Sequence, residues 1–217
     1  MTTLDLTPLL RSPLLPDYVA TLSGRLRDEA TARAKFRDDL SDDQKVEFID
    51  GDLVMHSPAR NVHLMARLNL SSLLLTHVRK HSLGQVSDEK CLCEFPRNDY
   101  EPDIVFFSPE KAALFKPDTM VFPVPDFVVE VLSDSTEHRD RGVKFDDYEA
   151  HGVREYWIID ADAEVVEQYV HDGKAFQLRL KSGSGEIASQ VVTGFRIPIR
   201  AIFDPHENLV TLGSLLR

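Results

Sequence analysis

Short apolar runs separated by polar segments dominate the middle of the chain. Three of these runs, Ile104–Phe107, Phe127–Leu132 and Glu155–Ile159, contain few polar residues and are predicted to be β-strands buried on both faces. A helical pattern separates the second run from the third. The order strand, helix, strand over residues 126–160 predicts a parallel pair of strands with a right-handed crossover.

The helix of this unit is predicted to follow Ser133 and to continue to about His151. Asp134 and Glu137 stand three residues apart, an arrangement that resembles a capping box with Asp in place of Ser or Thr. Gly152 occupies the position at which a left-handed residue commonly ends a helix. The sequence therefore predicts one uninterrupted helix between the two strands.

The segments upstream add a hairpin and a long helix. Asp50 and Gly51 separate two alternating runs, as in a type I′ turn, which requires positive φ at both central residues. Apolar residues recur at helical spacing from Val62 to about Lys80, and Gln85–Phe95 is predicted to be one strand.

After residue 160 the pattern predicts only further strands, with turns at Asp172-Gly173 and Gly183–Gly185. These strands would extend the sheet in an antiparallel manner. We therefore predict an N-terminal extension over residues 1–40 that is partly helical, followed by one domain over residues 41–217. The predicted class is α/β, with helices flanking a mixed central β-sheet.

Composition narrows the class of protein. The chain has 217 residues, and its formal net charge of −11 argues against a protein that coats nucleic acid through a basic surface. A nuclease is compatible with this charge, because a bound metal offsets an acidic site. Cys91 and Cys93 lack zinc-binding spacing and are predicted to be buried free thiols. No apolar run is long enough for a bilayer and no signal peptide is recognised, which predicts a soluble, cytoplasmic protein.

Two acids interrupt the apolar runs. Asp103 precedes the first buried strand and Glu130 lies within the second. A carboxylate there is unfavourable unless it is paired, protonated or bound to a metal. Neighbouring strands lie ~5 Å apart, so the two acids could share a divalent ion, whereas Asp126 lies ~13 Å from Glu130 along one strand. The alternative is that local hydrogen bonds satisfy both carboxylates.

The candidate ligands are all oxygen atoms. Beside the carboxylates of Asp103 and Glu130, the backbone carbonyl of Val131 is a plausible third ligand. Ligation by oxygen alone favours Mg²⁺ or Mn²⁺ over zinc.

Three further residues are weaker candidates. Lys144 lies beside the apolar face of the predicted helix and could extend toward the site, where its charge would stabilise a phosphoryl transition state. A surface ion pair with Asp140 is the alternative. Glu47 is an acid on the first strand of the hairpin, and an exposed glutamate on an edge strand fits the pattern as well. His63, in the first turn of the long helix, fits a structural role better than that of a ligand.

Taken together, these segments resemble a known family. The chain carries EFIDGDLVMHSPARNVHL, then Pro102-Asp103, then PDFVVEVLSDST and DRGVKFDDYEAHGVREYWIID. This order is similar to the Uma family of restriction endonucleases, long known as a domain of unknown function, which is part of the PD-(D/E)XK nuclease superfamily. The resemblance covers roughly residues 45–200. The spaced set of segments is far more specific than a lone Pro-Asp pair.

The resemblance implies a restriction-endonuclease-like core with the metal held by Asp103 and Glu130. It assigns the catalytic lysine to Lys144, because the usual position, two residues after the glutamate, is occupied by Leu132. Glu47 would be the additional acid found in many members of the superfamily.

The predicted function is therefore a Mg²⁺- or Mn²⁺-dependent endonuclease that acts on DNA. Leu132 and the net charge favour an alternative, a catalytically weak or inactive nuclease-fold module that binds nucleic acid or protein. A two-carboxylate hydrolase of sugars fits less well, because a single Trp provides few aromatic platforms. Cleavage of both strands by one site per chain would favour a twofold homodimer.

Overall fold

Three β-sheets form the framework of the protein, whose computed structural model describes residues 5–40 and 45–217. The strands are β1 (Val46–Ile49), β2 (Asp52–Met55), β3 (Gln85–Asp88), β4 (Leu92–Glu94), β5 (Asp99–Tyr100), β6 (Ile104–Phe107), β7 (Val121–Phe122), β8 (Phe127–Val131), β9 (Glu155–Asp160), β10 (Val165–His171), β11 (Phe176–Ser182), β12 (Glu186–Ala188) and β13 (Arg196–Pro198). The helices are α1 (Thr7–Leu10), α2 (Leu15–Asp38), α3 (Asn61–His81), α4 (Pro109–Ala112), α5 (Glu137–Asp140), α6 (Val143–Ala150), α7 (Arg200–Phe203) and α8 (Pro205–Leu216).

The two larger sheets are mixed. One has the order β11-β10-β9-β8-β6-β3, in which β8 and β9 are parallel and the other neighbours are antiparallel. The other has the order β2-β1-β5-β4-β7, with β4 and β7 parallel. Strands β12 and β13 form a separate pair. The predicted α/β class, a mixed sheet flanked by helices, is confirmed.

The six-stranded sheet separates two apolar layers. On one face, Phe127, Val129 and Trp157 pack with Leu70 of α3 and Ile202 of α7. On the other face, Val105, Val128 and Ile158 pack with Tyr148 of α6 and with Tyr100 of the second sheet. Side chains alternate between the two faces along a strand. Asp103 and Glu130 therefore extend toward the second layer, between the two sheets.

Several predicted elements are confirmed. The hairpin at Asp50 and Gly51 has φ of 53° and 96°, the positive values that a type I′ turn requires. Helix α3 covers the predicted segment. Strands β8 and β9 are parallel, and β10 and β11 extend the sheet in an antiparallel manner. Both cysteines are free and buried.

The predicted single strand over Gln85–Phe95 is wrong. Residues Gln85–Asp88 pair with β6 in the six-stranded sheet, whereas Leu92–Glu94 belong to the other sheet. Glu89 and Lys90 between them both have φ of 46°. Two consecutive left-handed residues turn the chain from one sheet to the other.

The predicted single helix after β8 is also wrong. It is broken at Gly142, where ψ is −109°, into α5 and α6. The N-cap of α5 is Thr136 rather than Asp134, and no side chain caps it. The break separates the turn that bears Asp140 from the turn that bears Lys144.

The prediction of strands alone after residue 160 is wrong at the C-terminal end. Residues Arg200–Phe203 and Pro205–Leu216 are helices that pack on α3. Asp204 accepts hydrogen bonds from the backbone N–H groups of His206 and Glu207. This is the N-cap chemistry that starts α8, with Pro205 in the first turn.

The N-terminal region contains the long helix α2, whose C-terminal half contacts the second sheet through Phe36. The division of the chain at residue 40 stays a prediction, and residues 1–4 and 41–44 lie outside the described residues. Within the described ranges, no helix has the length and apolar character needed to cross a membrane.

Candidate active site

A cleft of about 560 Å³ opens where β6 and β8 lie side by side, and charged side chains surround it. The hairpin β1–β2, helix α3 and the two helices after β8 all contribute to its wall. The charged or titratable lining residues are Lys45, His56, Arg60, His63, Glu89, Asp103, Glu130, Asp134, Arg139, Asp140 and Lys144.

Asp103 and Glu130 lie side by side at this cleft. The antiparallel register that pairs Ile104 with Val129 places Asp103 opposite Glu130 when it is continued by one residue. The backbone N–H of Asp103 donates to Glu130 Oε2 at 3.3 Å, and the N–H of Val131 donates to Asp103 Oδ2 at 2.8 Å. Both side chains are buried, with 8% and 4% of their surface exposed.

Lys144 lies between three carboxylates. Its Nζ is 2.9 Å from Glu47 Oε1, 3.0 Å from Glu130 Oε1 and 3.5 Å from Asp140 Oδ1, and 2% of the side chain is exposed. The predicted alternative, a surface ion pair with Asp140, is therefore wrong in its location, because that pair is buried. A single ammonium group joins two helices to both sheets.

Glu47 is an interior residue of the second sheet. Strand β1 lies between β2 and β5, so the alternative of an exposed edge-strand glutamate is wrong. Glu47 Oε1 also accepts a hydrogen bond from the backbone N–H of Glu101 at 2.9 Å. His56 Nε2 lies 3.0 Å from the other oxygen, Oε2.

Tyr148, four residues after Lys144 on α6, contacts the same glutamate. Its hydroxyl group donates to Glu130 Oε1 at 2.9 Å. The sequence indicated Tyr148 only as a packing residue. Since residues four apart lie on the same side of a helix, the spacing from Lys144 was a usable signal.

The carboxylates of the cleft differ in their affinity for protons. Burial raises the pKa of Glu130 to about 8 against the opposing effect of Lys144, and Asp140 adds to the rise. Burial also disfavours the charged form of Glu47, but Lys144 and His56 outweigh it and lower the pKa to about 2. For Asp103, His63 and Lys45 outweigh burial and hold the pKa well below its usual value.

Two residues of the cleft approach Asp103 from outside the six-stranded sheet. His63 Nε2, on α3, lies 3.6 Å from Asp103 Oδ2, and Lys45 Nζ lies 3.3 Å from Oδ1. The sequence pattern indicated His63 but not Lys45. Lys45 stands two residues before Glu47, so the shared face of an extended segment was the available signal.

Asp126, the rejected partner of Glu130, has a different environment. It accepts hydrogen bonds from the backbone N–H of Ser108 at 2.8 Å and from Lys111 Nζ at 3.0 Å. It does not line the cleft. The structure thus places Asp126 in a local network at the opposite end of β8.

The oxygen atoms present fit a hard divalent cation. Leu132 N–H donates to Ile159 O, so Val131 directs its N–H and its carbonyl to the other side, toward Asp103. Asp140 Oδ1 is buried and has no hydrogen-bond partner among the described residues. Within that part of the chain, no three His, Cys, Asp or Glu side chains converge on one point as a complete metal site. Two carboxylates and one carbonyl are therefore the available donors.

Comparison with known families connects this geometry to a group of proteins. The family model Uma2, described as "Putative restriction endonuclease", matches residues 33–200, more than half of the chain. The chain belongs to this family. The resemblance inferred from the sequence is thereby confirmed, and the Uma2 match begins within α2, upstream of the predicted residue 45.

A solved structure has the same fold as this Uma2 family member. It is described as the crystal structure of a putative nuclease belonging to DUF820 from Anabaena variabilis ATCC 29413. The two are 17% identical, the alignment covers 77% of this chain and 94% of that chain, and the TM-score is 0.66. A search among curated proteins finds no match. The Uma2 match supports a nuclease, and the solved structure shows the shared fold.

Proposed function

We propose that this protein is a metal-dependent endonuclease that hydrolyses DNA phosphodiester bonds at the cleft containing Asp103 and Glu130. The observation that carries the proposal is the position of these two acids. Asp103 immediately precedes β6, Glu130 lies on the paired strand β8, and both line a cleft of about 560 Å³.

Asp103, Glu130 and the Val131 carbonyl would hold Mg²⁺ or Mn²⁺. Such an ion polarises a phosphoryl oxygen and lowers the pKa of a bound water molecule. The protein's own residues prepare the ligands. Lys45 and His63 keep Asp103 ionised, and Lys144 and Tyr148 fix the orientation of Glu130.

Cationic side chains within the cleft support DNA as the substrate despite the net charge of −11. Arg60, Arg139 and Lys45 line the same wall as the acids. Arg139 Nε is buried and has no hydrogen-bond partner among the described residues. Contacts of arginine and lysine with phosphate oxygens position a nucleic acid without reading its sequence.

A second candidate is a nuclease-fold module that binds without cleaving. One observation favours it, namely that Leu132 stands where the superfamily places its lysine. The carboxylates of Asp103 and Glu130 and the ammonium group of Lys144 nevertheless lie together, which favours the enzyme.

The decisive experiment is nicking of supercoiled plasmid in Mg²⁺ or Mn²⁺ by the wild type, Asp103→Asn and Glu130→Gln. We expect each variant to lose about 100-fold or more in rate, because each replaces a carboxyl group of the proposed metal site with an amide. Glu186→Gln is the matched control, since Glu186 is an exposed glutamate on β12. Its rate should equal that of the wild type.

Calorimetric titration with Mg²⁺ separates the two candidates. The enzyme requires binding that weakens in Asp103→Asn, whereas a module without a metal site shows no binding that depends on this residue. A wild type that nicks no substrate in any of the metals would reject the endonuclease.

We also propose that the active form is a twofold homodimer, because one cleft per chain serves one strand. Light scattering measures the mass directly. A single species near the chain mass of 24.6 kDa at assay concentration would contradict the dimer.

A further inference from the structure

Two lysines flank the acids of the cleft, and they differ in what they can reach. Lys144 Nζ has a carboxylate oxygen within 3.5 Å from each of Glu47, Glu130 and Asp140. An ammonium group has three N–H donors, and the acids around Lys144 lie on three sides of it, with those of Glu47 and Glu130 at 2.9 and 3.0 Å. With 2% of its side chain exposed, Lys144 is the more enclosed of the two lysines.

Lys45 has the opposite environment. Its Nζ contacts one carboxylate oxygen, Asp103 Oδ1, at 3.3 Å, and 21% of the side chain is exposed. Like Lys144, it lines the cleft. A single carboxylate contact leaves donors of the ammonium group that can turn toward a bound phosphate.

The backbone holds Lys45 in place. The residue immediately precedes β1, and its carbonyl accepts a hydrogen bond from the N–H of His56 at 3.3 Å, which continues the β1–β2 ladder by one pair. Lys45 and Glu47 are two residues apart and therefore extend to the same face. One strand of the second sheet thus delivers both a cation and an acid to the site.

The charge of Lys45 is secure. A lysine ammonium group ordinarily loses its proton only far above neutral pH, and that of Lys45 lies 3.3 Å from the carboxylate of Asp103. Lys45 is therefore a permanent cation beside Asp103 at neutral pH. A permanent cation cannot act as a general base, but it can stabilise developing negative charge.

We propose that Lys45 is a catalytic residue that contacts the scissile phosphate and offsets the charge that develops on it, whereas Lys144 is a positioning residue. Lys144 holds Glu130 and Glu47 in place through the buried ion pairs described above. This assignment rests on the proposed nuclease function and explains how the site operates with Leu132 at the usual lysine position.

The test compares Lys45→Ala, Lys144→Ala and Lys174→Ala in plasmid nicking, with Lys174 as an exposed control in the β10–β11 turn. DNA affinity is measured by fluorescence anisotropy in Ca²⁺, and thermal unfolding reports stability. For Lys45→Ala we expect a rate about 100-fold lower, a DNA affinity within about threefold of the wild type and a melting temperature well above that of Lys144→Ala. Lys174→Ala should match the wild type in all three.

Chemical rescue provides the readout that a structural role would not move. Added ethylammonium should restore part of the nicking rate of Lys45→Ala, because the space left by that side chain opens to the cleft. Lys144→Ala should lose both rate and melting temperature and show no rescue, because its site is enclosed by three carboxylates.

The outcomes separate this assignment from the proposed function. If the wild type nicks DNA and Lys45→Ala does so at the same rate, the role of Lys45 is rejected and the nuclease stands. A loss in DNA affinity as large as the loss in rate would also reject it, since Lys45 would then act in binding alone. A wild type without nicking rejects both.

Discussion

Glu167 is a buried carboxylate outside the cleft whose ionisation stabilises the folded chain. Arg141 binds both of its oxygens, at 2.9 and 3.0 Å, and Tyr169 and Lys181 donate to it as well. Burial would raise its pKa, but Arg141, Tyr169 and Lys181 outweigh burial and lower it from 4.5 to about 2. A carboxylate with a depressed pKa stabilises the protein above the unfolded pKa, and this contribution is lost as pH falls through the folded value.

We therefore expect Glu167→Gln to lower the free energy of unfolding by about 1–3 kcal/mol at pH 7. The difference from the wild type should shrink as pH falls from about 4.5 toward 2, because the wild type then loses the same charge. Urea unfolding at pH 7, 4 and 3 measures it, with Glu186→Gln as the exposed control. A difference that stays constant between pH 7 and 3 would contradict the assignment.

Only some of the charged residues of the cleft could be predicted from the sequence. Asp103 and Glu130 could be recognised because acids inside apolar runs require a partner. Glu47 could not be separated from a surface glutamate, because its burial depends on the pairing of β1 with β5, in which Phe48 pairs with Asp99, 51 residues later. Lys45 had no local signal apart from its spacing to Glu47. The positions of both residues depend on pairing between distant segments, which a local sequence pattern does not show.

The break between α5 and α6 is the element that positions Lys144. Gly142 lies at the junction with φ of −118° and ψ of −109°, and a Cβ atom there would lie 2.6 Å from the backbone oxygen of His138. This contact is too short for any side chain, so the backbone must shift if one is added. Lys144 follows two residues later and would move with it.

We expect Gly142→Ala to lower the free energy of unfolding by about 1–3 kcal/mol and to reduce nicking. Gly213→Ala is the matched control, because Gly213 lies inside α8 and an added Cβ has no atom within 4 Å. That control should stabilise the protein by up to about 1 kcal/mol through helix propensity. Thermal unfolding and plasmid nicking check both. Equal effects of the two variants would contradict a special role for the junction.

The errors in predicting elements have local causes. The helix after β8 was predicted as continuous because its residues favour a helix on both sides of the break. A single glycine inside a helical pattern does not by itself predict a break. The strand over Gln85–Phe95 was predicted as one because Glu89 and Lys90 are ordinary residues in a left-handed conformation. Helix α8 was missed although Asp204 and Pro205 form a recognisable start signal. The first two depend on tertiary contacts, and the third does not.

At the scale of the whole molecule, α2 is joined to the active-site helix through a chain of buried polar contacts. Arg33 Nε and Nη2 donate to Asp99 at 2.8 and 2.6 Å, and Arg37 Nη2 donates to the same carboxylate at 2.6 Å. The next residue back, Asn98, donates to Asp147 Oδ2 at 2.7 Å. Asp147 lies on α6, which also carries Lys144. The sequence predicted a partly helical extension here and could not indicate these contacts, since they join residues 49 to 66 positions apart.

Removal of both arginines should therefore destabilise the core and not merely the N-terminal region. Asp99 is fully buried, so Arg33→Ala combined with Arg37→Ala leaves a carboxylate without its counter-charges, and we expect a loss of about 3–5 kcal/mol in the free energy of unfolding. Arg25→Ala is the control on the same helix, because Arg25 is 66% exposed, and its effect should stay below about 1 kcal/mol.

Adding Asp99→Asn to the double variant removes the unpaired charge and should recover part of the loss. Urea unfolding measures the free energy of unfolding of the wild type, the double variant, Arg25→Ala and the triple variant. A double variant no weaker than Arg25→Ala, or one that Asp99→Asn does not improve, would show that the buried charge of Asp99 does not link α2 to the core.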